Sequence, residues 1–297
     1  MRVLVFGANG QVGQELLRAL SSCYEVVATT RSGELPDGNP CEVADFDVPD
    51  SLVDVLKKVR PDAVVNAAAY TAVDRAEQEP EAAYRANAHA PGVIARWCAE
   101  QGVPMIHYST DYVFDGQGTV AYREEDRLDP LGVYGSSKRD GELQVRAAGG
   151  RHLIFRTAWV YASHGGNFLR TMLRVGAERD ELRVVSDQIG TPTSAALIAD
   201  VTLHALQHQG QLSGTWHLTA SGQTSWHGFA EAIFGQALSA GLLQKAPRVL
   251  PIPSSEYPTP AKRPAWSVLD SRKLQQDFGI TLPQWQDGLV RVIGELA

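Results

Sequence analysis

The sequence is poor in cysteine, in long apolar runs and in net positive charge, and each shortage excludes a class of protein. Its three cysteines, Cys23, Cys41 and Cys98, have no paired spacing, so they predict neither a disulfide framework nor a zinc site and indicate reduced thiols in the cytoplasm. No apolar run approaches the roughly 18 residues of a membrane-spanning helix, so no membrane is expected as a partner. The net charge of −7 argues against nucleic acid as a partner, because nucleic-acid-binding proteins carry a basic surface.

What is present is the composition of an ordinary soluble globular protein. Hydrophobic residues make up 44% and charged residues 21% of the 297 residues. A chain of this length forms one large domain or two smaller ones. The first apolar run starts at Arg2 and predicts a strand rather than a secretion signal.

The N-terminus carries a pattern typical of dinucleotide binding. Residues 2–6, RVLVF, predict a strand buried on both faces, and the turn GANGQVG and a helix follow directly. Gly7 would permit the tight turn, Gly10 the approach of a pyrophosphate to the helix N-terminus, and Gly13 close packing of helix on sheet. A plain tight turn between strand and helix would also fit this G-x-x-G-x-x-G spacing.

The end of the second predicted strand, EVVATT, bears on the choice of cofactor. Proteins that prefer NAD usually carry an acidic residue there for the ribose hydroxyls, whereas this chain has Thr29, Thr30 and Arg31. Arg31 could pair with the 2′-phosphate of NADP, which favours NADPH over NADH as the cofactor. Arg31 could equally be a solvated loop charge.

Two further stretches could meet the same cofactor. A third strand is predicted over residues 41–46, and the Asp45 carboxylate near its end could accept a hydrogen bond from an adenine amine. Ala67, Ala68 and Ala69 follow another predicted strand, and their small side chains would let a flat cofactor approach the backbone. Close packing against a helix would explain these alanines equally well.

A third pattern, YGSSK, places Tyr134 and Lys138 four residues apart, on one face of a predicted helix. A nearby ammonium stabilises a phenolate and lowers the tyrosine pKa, so Tyr134 could exchange a proton with a substrate oxygen. Thr110 follows an apolar strand and could hydrogen-bond the same oxygen. The spacing alone is weak, because Tyr-x-x-x-Lys is common and Tyr134 could be an ordinary helix residue.

Strands alternate with helices through the first half of the chain, which predicts an α/β fold with a Rossmann-like, doubly wound parallel sheet. Alternation weakens later, and residues 247–264 are rich in proline, so a smaller, mixed C-terminal substrate lobe is expected. The nucleotide-binding domain is predicted over residues 1–162 with about 194–220. The substrate lobe is predicted over about 163–193 and 221–297.

The chain resembles the extended short-chain dehydrogenase/reductases, and within them the dTDP-4-dehydrorhamnose reductase family. The segments that carry the resemblance span nearly the whole chain in the family's order: GANGQVGQEL, VNAAAYTAVDRAE, HYSTDYVFDG, VYGSSK, FRTAWVYA, SDQIGTPT, PTPAKRP and LDSRKLQQDFG. The resemblance implies that NADPH reduces the C4 keto group of dTDP-4-dehydro-β-L-rhamnose, with Thr110, Tyr134 and Lys138 as the catalytic residues.

The resemblance also assigns binding residues. Gly10, Gln11 and Val12 would hold the pyrophosphate, Asp45 and Phe46 would lie near the adenosine, and Ala67, Ala68, Ala69 and Tyr108 would lie along the cofactor. Thr110, Asp111 and Trp159 would contact the dTDP-sugar. Asn167 is a further substrate candidate. Arg263, with Arg170, Arg174 and Lys262, is a candidate for the substrate's diphosphate because guanidinium groups suit phosphate oxygens.

Some members of the family bind Mg²⁺ through glutamates at a homodimer interface. Glu15 and Glu295 match two of these positions, but the third matches Ala196. A missing carboxylate weakens a site for a hard cation, which puts in doubt both the metal and a homodimer that depends on it.

Two other functions fit the same fold. One is a sugar-nucleotide epimerase or dehydratase that retains NAD⁺, which an acidic end to the second strand would have favoured. The other is a regulatory, non-catalytic subunit that binds NADP and a partner enzyme. Because a binding module has no need of Thr110, Tyr134 and Lys138 together, the sequence favours the reductase.

Overall fold

The computed structural model of the chain describes residues 1–208 and 212–297. The strands are β1 (Arg2–Phe6), β2 (Glu25–Thr30), β3 (Glu42–Val43), β4 (Ala63–Asn66), β5 (Met105–Thr110), β6 (His152–Thr157), β7 (Val160–Tyr161), β8 (Glu181–Val185), β9 (Ile189–Gly190), β10 (Thr193–Ser194), β11 (Gly214–His217), β12 (Thr224–Ser225) and β13 (Arg248–Ile252). The helices are α1 (Gln11–Leu20), α2 (Pro49–Val59), α3 (Val73–Ala76), α4 (Pro80–Tyr84), α5 (Ala90–Gln101), α6 (Val133–Ala147), α7 (Phe168–Glu178), α8 (Ala195–Gln207), α9 (Trp226–Ser239), α10 (Arg272–Phe278) and α11 (Trp285–Gly294). A π-helical turn, Arg85–His89, joins α4 to α5.

The predicted doubly wound sheet is confirmed. Strands β11, β6, β5, β4, β1, β2 and β3 form one sheet in that order, and each neighbouring pair is parallel. From β3 to β6 this is the Rossmann order 3-2-1-4-5-6, in which β1 and β4 are neighbours whose connections run in opposite directions. A crevice opens outside the carboxyl ends of such strands.

Alternate side chains of β1 explain why the sheet is covered on both faces. Val3 and Val5 face a layer that contains Leu16 of α1, whereas Leu4 and Phe6 face the opposite layer. Since successive residues of a strand point to opposite faces, a continuous apolar strand requires helices on both sides. α8 packs beside α1 on the first side, and α2 and α5 lie together on the other.

The C-terminal lobe is built from small pieces. Three two-stranded sheets pair β7 with β10, β9 with β12 and β8 with β13. Its own core surrounds Phe229 and Ile233 of α9, Leu289 of α11 and Leu169 of α7. Strand β11 lies at the edge of the large sheet, and the division into two domains stays a prediction. Residues 209–211 of the segment 194–220 lie outside the described residues.

One expectation needs correction: the predicted strand 41–46 is only the two residues of β3. Strand β6 ends at Thr157, and Trp159, two residues later, takes a left-handed backbone conformation with φ 48°. The proline-rich segment contains a strand, β13, with Pro251 in an edge position where a missing N–H is tolerated. In the part of the chain that the structure describes, no helix is both long and apolar enough to cross a bilayer.

Candidate active site

A cleft of about 1250 Å³ runs along the carboxyl ends of the sheet strands, at the crevice between β1 and β4. It brings together most of the residues selected from the sequence: Gly7, Gly10, Gln11, Val12, Arg31, Phe46, Ala67, Ala68, Ala69, Tyr108, Thr110, Asp111, Tyr134, Lys138, Trp159, Asn167 and Arg263. Gly13 and Asp45 are not among the lining residues, and neither are Arg170, Arg174 and Lys262.

The glycine turn shows why two of its glycines are needed. Gly7 has φ 79°, and a side-chain carbon there would lie 2.5 Å from the backbone nitrogen of Ala68. At Gly13 it would lie 2.1 Å from the carbonyl oxygen of Gly7, so Gly13 serves packing rather than ligand contact. α1 has no side-chain cap and no acidic residue in its first turn. Its unpaired N–H groups therefore suit an anion in the cleft.

Arg31 and Asp45, the charged residues that the sequence suggested for the adenosine side of the cofactor, lie beside each other. Arg31 is 73% exposed, and its guanidinium lies 3.5 Å from Asp45 and 3.7 Å from Asp47. Asp45 also accepts a hydrogen bond from the backbone N–H of Asp47 at 3.0 Å. Its carboxylate is thus engaged within the protein, and its contact with adenine stays a prediction. Phe46 is buried and packs edge-on against Phe6 at 5.8 Å.

Helix α6 carries Tyr134 and Lys138 into the cleft from one face. The helix lies close to its neighbours, since a side-chain carbon at Gly135 would be 2.2 Å from the carbonyl oxygen of Tyr112. Asn87, in the π-helical turn, holds α6 through a second contact. Its amide donates to Ser137 Oγ at 3.0 Å and to the carbonyl oxygen of Tyr70 at 3.0 Å. Asn87 thereby links α6 to the loop that follows β4.

Lys138 is 3% exposed, and its Nζ donates to the carbonyl oxygen of Tyr108 at 2.6 Å. Burial, which disfavours the charged form, lowers the pKa of Lys138 to about 8, although Glu142 one turn later raises it. The neighbouring His107 is buried, and both burial and the Lys138 charge lower its pKa. His107 is therefore neutral at physiological pH.

Tyr134 differs from the expectation in one respect. Its pKa was expected to be lowered by Lys138, but burial raises it above its ordinary value of 10, and the hydrogen bond with Thr110 only partly offsets this. Lys138 Nζ is directed at the Tyr108 carbonyl instead. A phenol with a raised pKa stays protonated at neutral pH, so the arrangement suits a proton donor.

Thr110 and Asp111 form a polar pair where β5 ends. Thr110 Oγ1 donates to Asp111 Oδ1 at 2.9 Å and accepts the backbone N–H of Tyr112 at 3.2 Å. Asp111 is 4% exposed, and its Oδ2 has no hydrogen-bond partner in the described part of the chain. Burial raises the pKa of Asp111 to about 6, although Thr110 and the nearby Ser267 lower it. A buried, half-satisfied carboxylate facing a cleft is suited to accept a ligand hydroxyl.

Trp159 lies against a second indole that the sequence motifs did not reveal. The rings of Trp159 and Trp226 are stacked at 3.5 Å with an interplanar angle of 5°, and Phe168 packs on Trp226 at 4.7 Å. A side-chain carbon at Gly190 would lie 2.5 Å from the Trp159 ring. Trp226 is the first residue of α9 and lies outside all of the motifs quoted above. The only signal in the sequence that could have pointed to it is a tryptophan at the start of a predicted helix.

Asn167 and Arg263 reach the cleft from the C-terminal lobe. Asn167 accepts from the backbone N–H of Arg170 at 3.0 Å, which caps α7, and donates to Gln11 Oε1 at 2.8 Å. Its amide thus contacts the glycine turn. Arg263 pairs with Asp74 at 2.8 Å and remains partly exposed.

The carboxylates considered for a metal are engaged with cations of the protein. Glu15 is buried and contacts Arg18 at 3.1 Å and His164 at 2.8 Å. Glu295 lies 3.4 Å from the same Arg18 and accepts from Ser163 at 2.7 Å. Across residues 1–208 and 212–297, no group of three His, Cys, Asp or Glu side chains could hold a metal ion. Glu15 and Glu295 of one chain therefore do not form a Mg²⁺ site by themselves.

The whole chain, residues 1–297, matches the model of a family described as the RmlD substrate binding domain. It is 44% identical over 299 residues to the dTDP-4-dehydrorhamnose reductase of Escherichia coli (strain K12), covering 100% of this chain and 98% of that protein. Identity to the enzyme of the same name from Burkholderia thailandensis is 47%, with 96% of both chains covered. The crystal structure of dTDP-4-dehydrorhamnose reductase from Bacillus anthracis in complex with NADP matches with a TM-score of 0.89 and 34% identity over 99% of both chains.

Proposed function

Because the chain belongs to the RmlD substrate binding domain family, we propose that it catalyses the reduction of the C4 keto group of dTDP-4-dehydro-β-L-rhamnose to give dTDP-L-rhamnose, with NADPH as the reductant. The observation that carries the proposal is the meeting of Thr110, Tyr134 and Lys138 beside the glycine turn in one cleft. A proton donor and a nucleotide site in one cleft are the requirements of carbonyl reduction.

The cleft residues fit NADPH. The N–H groups of Gln11 and Val12 at the start of α1 suit the pyrophosphate, and Ala67, Ala68 and Ala69 leave room along the cofactor. The long contacts of Arg31, at 3.5 and 3.7 Å, allow its exposed guanidinium to turn toward a 2′-phosphate, which favours NADPH over NADH. When bound, NADPH supplies the hydride that C4 accepts.

Tyr134 donates the proton that the reduced C4 oxygen requires. Its phenolic O–H bond breaks as the new O–H bond forms on the oxygen attached to C4, and burial keeps the phenol protonated until then. The ammonium of Lys138, which donates to the Tyr108 carbonyl oxygen in the ligand-free protein, would turn to stabilise the resulting phenolate and to hold the nicotinamide ribose. Thr110, which lies close enough to Tyr134 to lower its pKa, orients the carbonyl.

Four residues hold the dTDP-sugar in this proposal. The unpaired Oδ2 of Asp111 accepts a sugar hydroxyl, and the Trp159 ring, backed by Trp226, supplies a flat apolar wall. Arg263 turns from Asp74 to the diphosphate. Asn167 contributes through Gln11, since its amide bridges the substrate lobe and the glycine turn.

Mg²⁺ has no part in this proposal, because Glu15 and Glu295 both contact Arg18 and Ala196 stands where the family's third carboxylate would be. A homodimer and a cytoplasmic location stay predictions. Sedimentation with EDTA and with added Mg²⁺ tests the first, since a metal-dependent dimer would dissociate when the cation is removed.

The deciding experiment follows NADPH oxidation with dTDP-4-dehydro-β-L-rhamnose generated in situ by an epimerase. Substrate-dependent oxidation that yields dTDP-L-rhamnose is expected, with slower turnover when NADH replaces NADPH. A folded protein that binds NADPH but never oxidises it would instead support the regulatory subunit. Copurification of tightly bound NAD⁺ would support the epimerase or dehydratase.

A further inference from the structure

Behind the cleft lies a buried acid that the proposed chemistry does not use. Glu142 is fully buried on α6 and does not line the cleft. It follows Lys138 by four residues and Tyr134 by eight, so the three side chains share one face of the helix. Burial of a carboxylate is costly unless its partners are charged and well placed.

Arg156, from β6, supplies those partners. It is 1% exposed and contacts the carboxylate of Glu142 through two hydrogen bonds, Nε to Oε1 and Nη2 to Oε2, both of 2.8 Å. Arg146, one turn later on α6, donates to Oε2 as well and is partly exposed. Burial opposes ionisation of Glu142, but the hydrogen bonds and the charge of Arg156 outweigh it and hold the pKa of Glu142 below its ordinary value.

The surroundings of Lys138 explain why this carboxylate matters. From β5, Lys138 contacts the carbonyl oxygen of Tyr108 and lies near the neutral ring of His107. On its own helix, Tyr134 stands one turn before it and Glu142 one turn after it, and the charge of Glu142 raises its pKa. Beyond Glu142 lie Arg146, Arg156 and His217 of β11, whose pKa is lowered to about 3, chiefly by burial. Glu142 is therefore the carboxylate that offsets the burial of the Lys138 ammonium.

We propose that Glu142, held by Arg156, is a positioning residue that keeps the buried ammonium of Lys138 protonated and available to the cofactor ribose and to Tyr134. The inference rests on the proposed reductase function and deepens it. Glu142 touches neither cofactor nor substrate in this account and acts only through Lys138.

Glu142→Gln tests this because glutamine keeps the shape and can still accept from Arg156 while removing the negative charge. The pKa of Lys138, about 8 in the presence of Glu142, would fall further. The alkaline limb of kcat/KM and of NADPH affinity should move to lower pH by about one unit, so that activity drops about fivefold at pH 8 and stays near that of the wild type at pH 6. A uniform loss at every pH would show a purely structural role and overturn the proposal.

Arg146→Met provides a second variant with the opposite sign. Arg146 is accessible from solvent and brings positive charge to the Glu142 cluster, so its removal should move the alkaline limb to higher pH. This variant decides the matter if Glu142→Gln does not fold, as judged by circular dichroism; an alkaline limb that stays in place or moves to lower pH would overturn the proposal.

The two hypotheses fail separately. Wild-type protein that binds NADPH with the expected pH dependence but leaves the dTDP-sugar unreduced would contradict the proposed function alone. Wild-type turnover with an unmoved alkaline limb in the Glu142→Gln variant would contradict the role of Glu142 alone.

Discussion

Tyr134 is the residue whose chemistry depends most on its surroundings. A phenol in water is a weak acid, and burial weakens it further, so it gives up a proton only when a strong base forms beside it. Tyr134→Phe should lower kcat by about 10²–10⁴-fold, the usual contribution of a positioned acid. NADPH affinity should stay close to that of the wild type, because Lys138 and the glycine turn remain.

Tyr257→Phe is the matched control, since Tyr257 is 61% exposed. Both variants remove one phenolic oxygen, but only the first removes it from the cleft. Stopped-flow single turnovers separate the chemical step from product release. Equal rates in both variants would eliminate Tyr134 as the proton donor.

At the scale of single residues, the sequence could predict which residues form the candidate site better than it could predict how deeply each one is buried. Tyr134, Lys138 and Thr110 were predicted because their spacing and strand position are local properties. The raised pKa of Tyr134 was missed because burial depends on side chains distant in sequence. Trp226 was missed for the same reason. Its partner Trp159 is remote in the chain, and the residues next to either tryptophan give no indication that the two rings stack.

At the scale of elements, the junction of β1 and α1 is fixed by the absence of a side chain at Gly13. An added methyl group would meet the Gly7 carbonyl oxygen at 2.1 Å and the Ala8 Cα at 2.8 Å, and these backbone atoms cannot yield without displacing the turn. Gly13→Ala should therefore destabilise the protein by about 1–3 kcal/mol and weaken NADPH binding, as measured by urea unfolding and by titration.

Gly235→Ala is the opposite case within a helix. Gly235 is exposed in α9, and a side-chain carbon there meets nothing within 4 Å. The same substitution should stabilise the protein by about 0.5–1 kcal/mol, because alanine restricts the unfolded backbone. If both variants lost stability equally, the close approach at Gly13 would not be the cause.

The predicted elements were most accurate where a strand is buried and a helix amphipathic. Strand β1 is apolar from Val3 to Phe6, and both β1 and β2 were predicted at the positions where the structure has them. β13 was missed because a proline interrupts its pattern, and only its pairing with β8 makes it a strand. Such pairing is a tertiary property and leaves little trace in the local sequence.

At the scale of the whole molecule, the buried strands of the large sheet lead into the cleft that contains the candidate site. The cores on either face of the sheet fix where the strands end. Thr110 stands at the end of β5, and α6 brings Tyr134 and Lys138 into the same cleft. The C-terminal lobe adds Trp159, Asn167 and Arg263 from segments with no common sequence pattern. Their convergence could be anticipated only from the family resemblance, since it depends on how the lobe packs on the domain.

Asp111 shows what this arrangement costs the fold. Its pKa is about 6 in the folded protein against an ordinary value of 3.8, so the folded state binds the proton more tightly than the unfolded state. The stability therefore falls as pH rises from about 4 to about 6 and stays reduced above that. A pKa difference of this size corresponds to at most about 3 kcal/mol of unfolding free energy, so Asp111→Asn should stabilise the ligand-free protein near pH 7 while weakening substrate binding.

The gain of Asp111→Asn should shrink as the pH is lowered toward 4, where the wild-type carboxyl is also neutral. Urea unfolding at a series of pH values measures this difference. Asp54→Asn, which removes a charge from an exposed site on α2, should show no such trend. A parallel pH dependence in the two variants would mean that the charge of the molecule, and not the burial of Asp111, governs the effect; a gain confined to Asp111 would show that the carboxylate is kept in the cleft at the expense of the fold's stability.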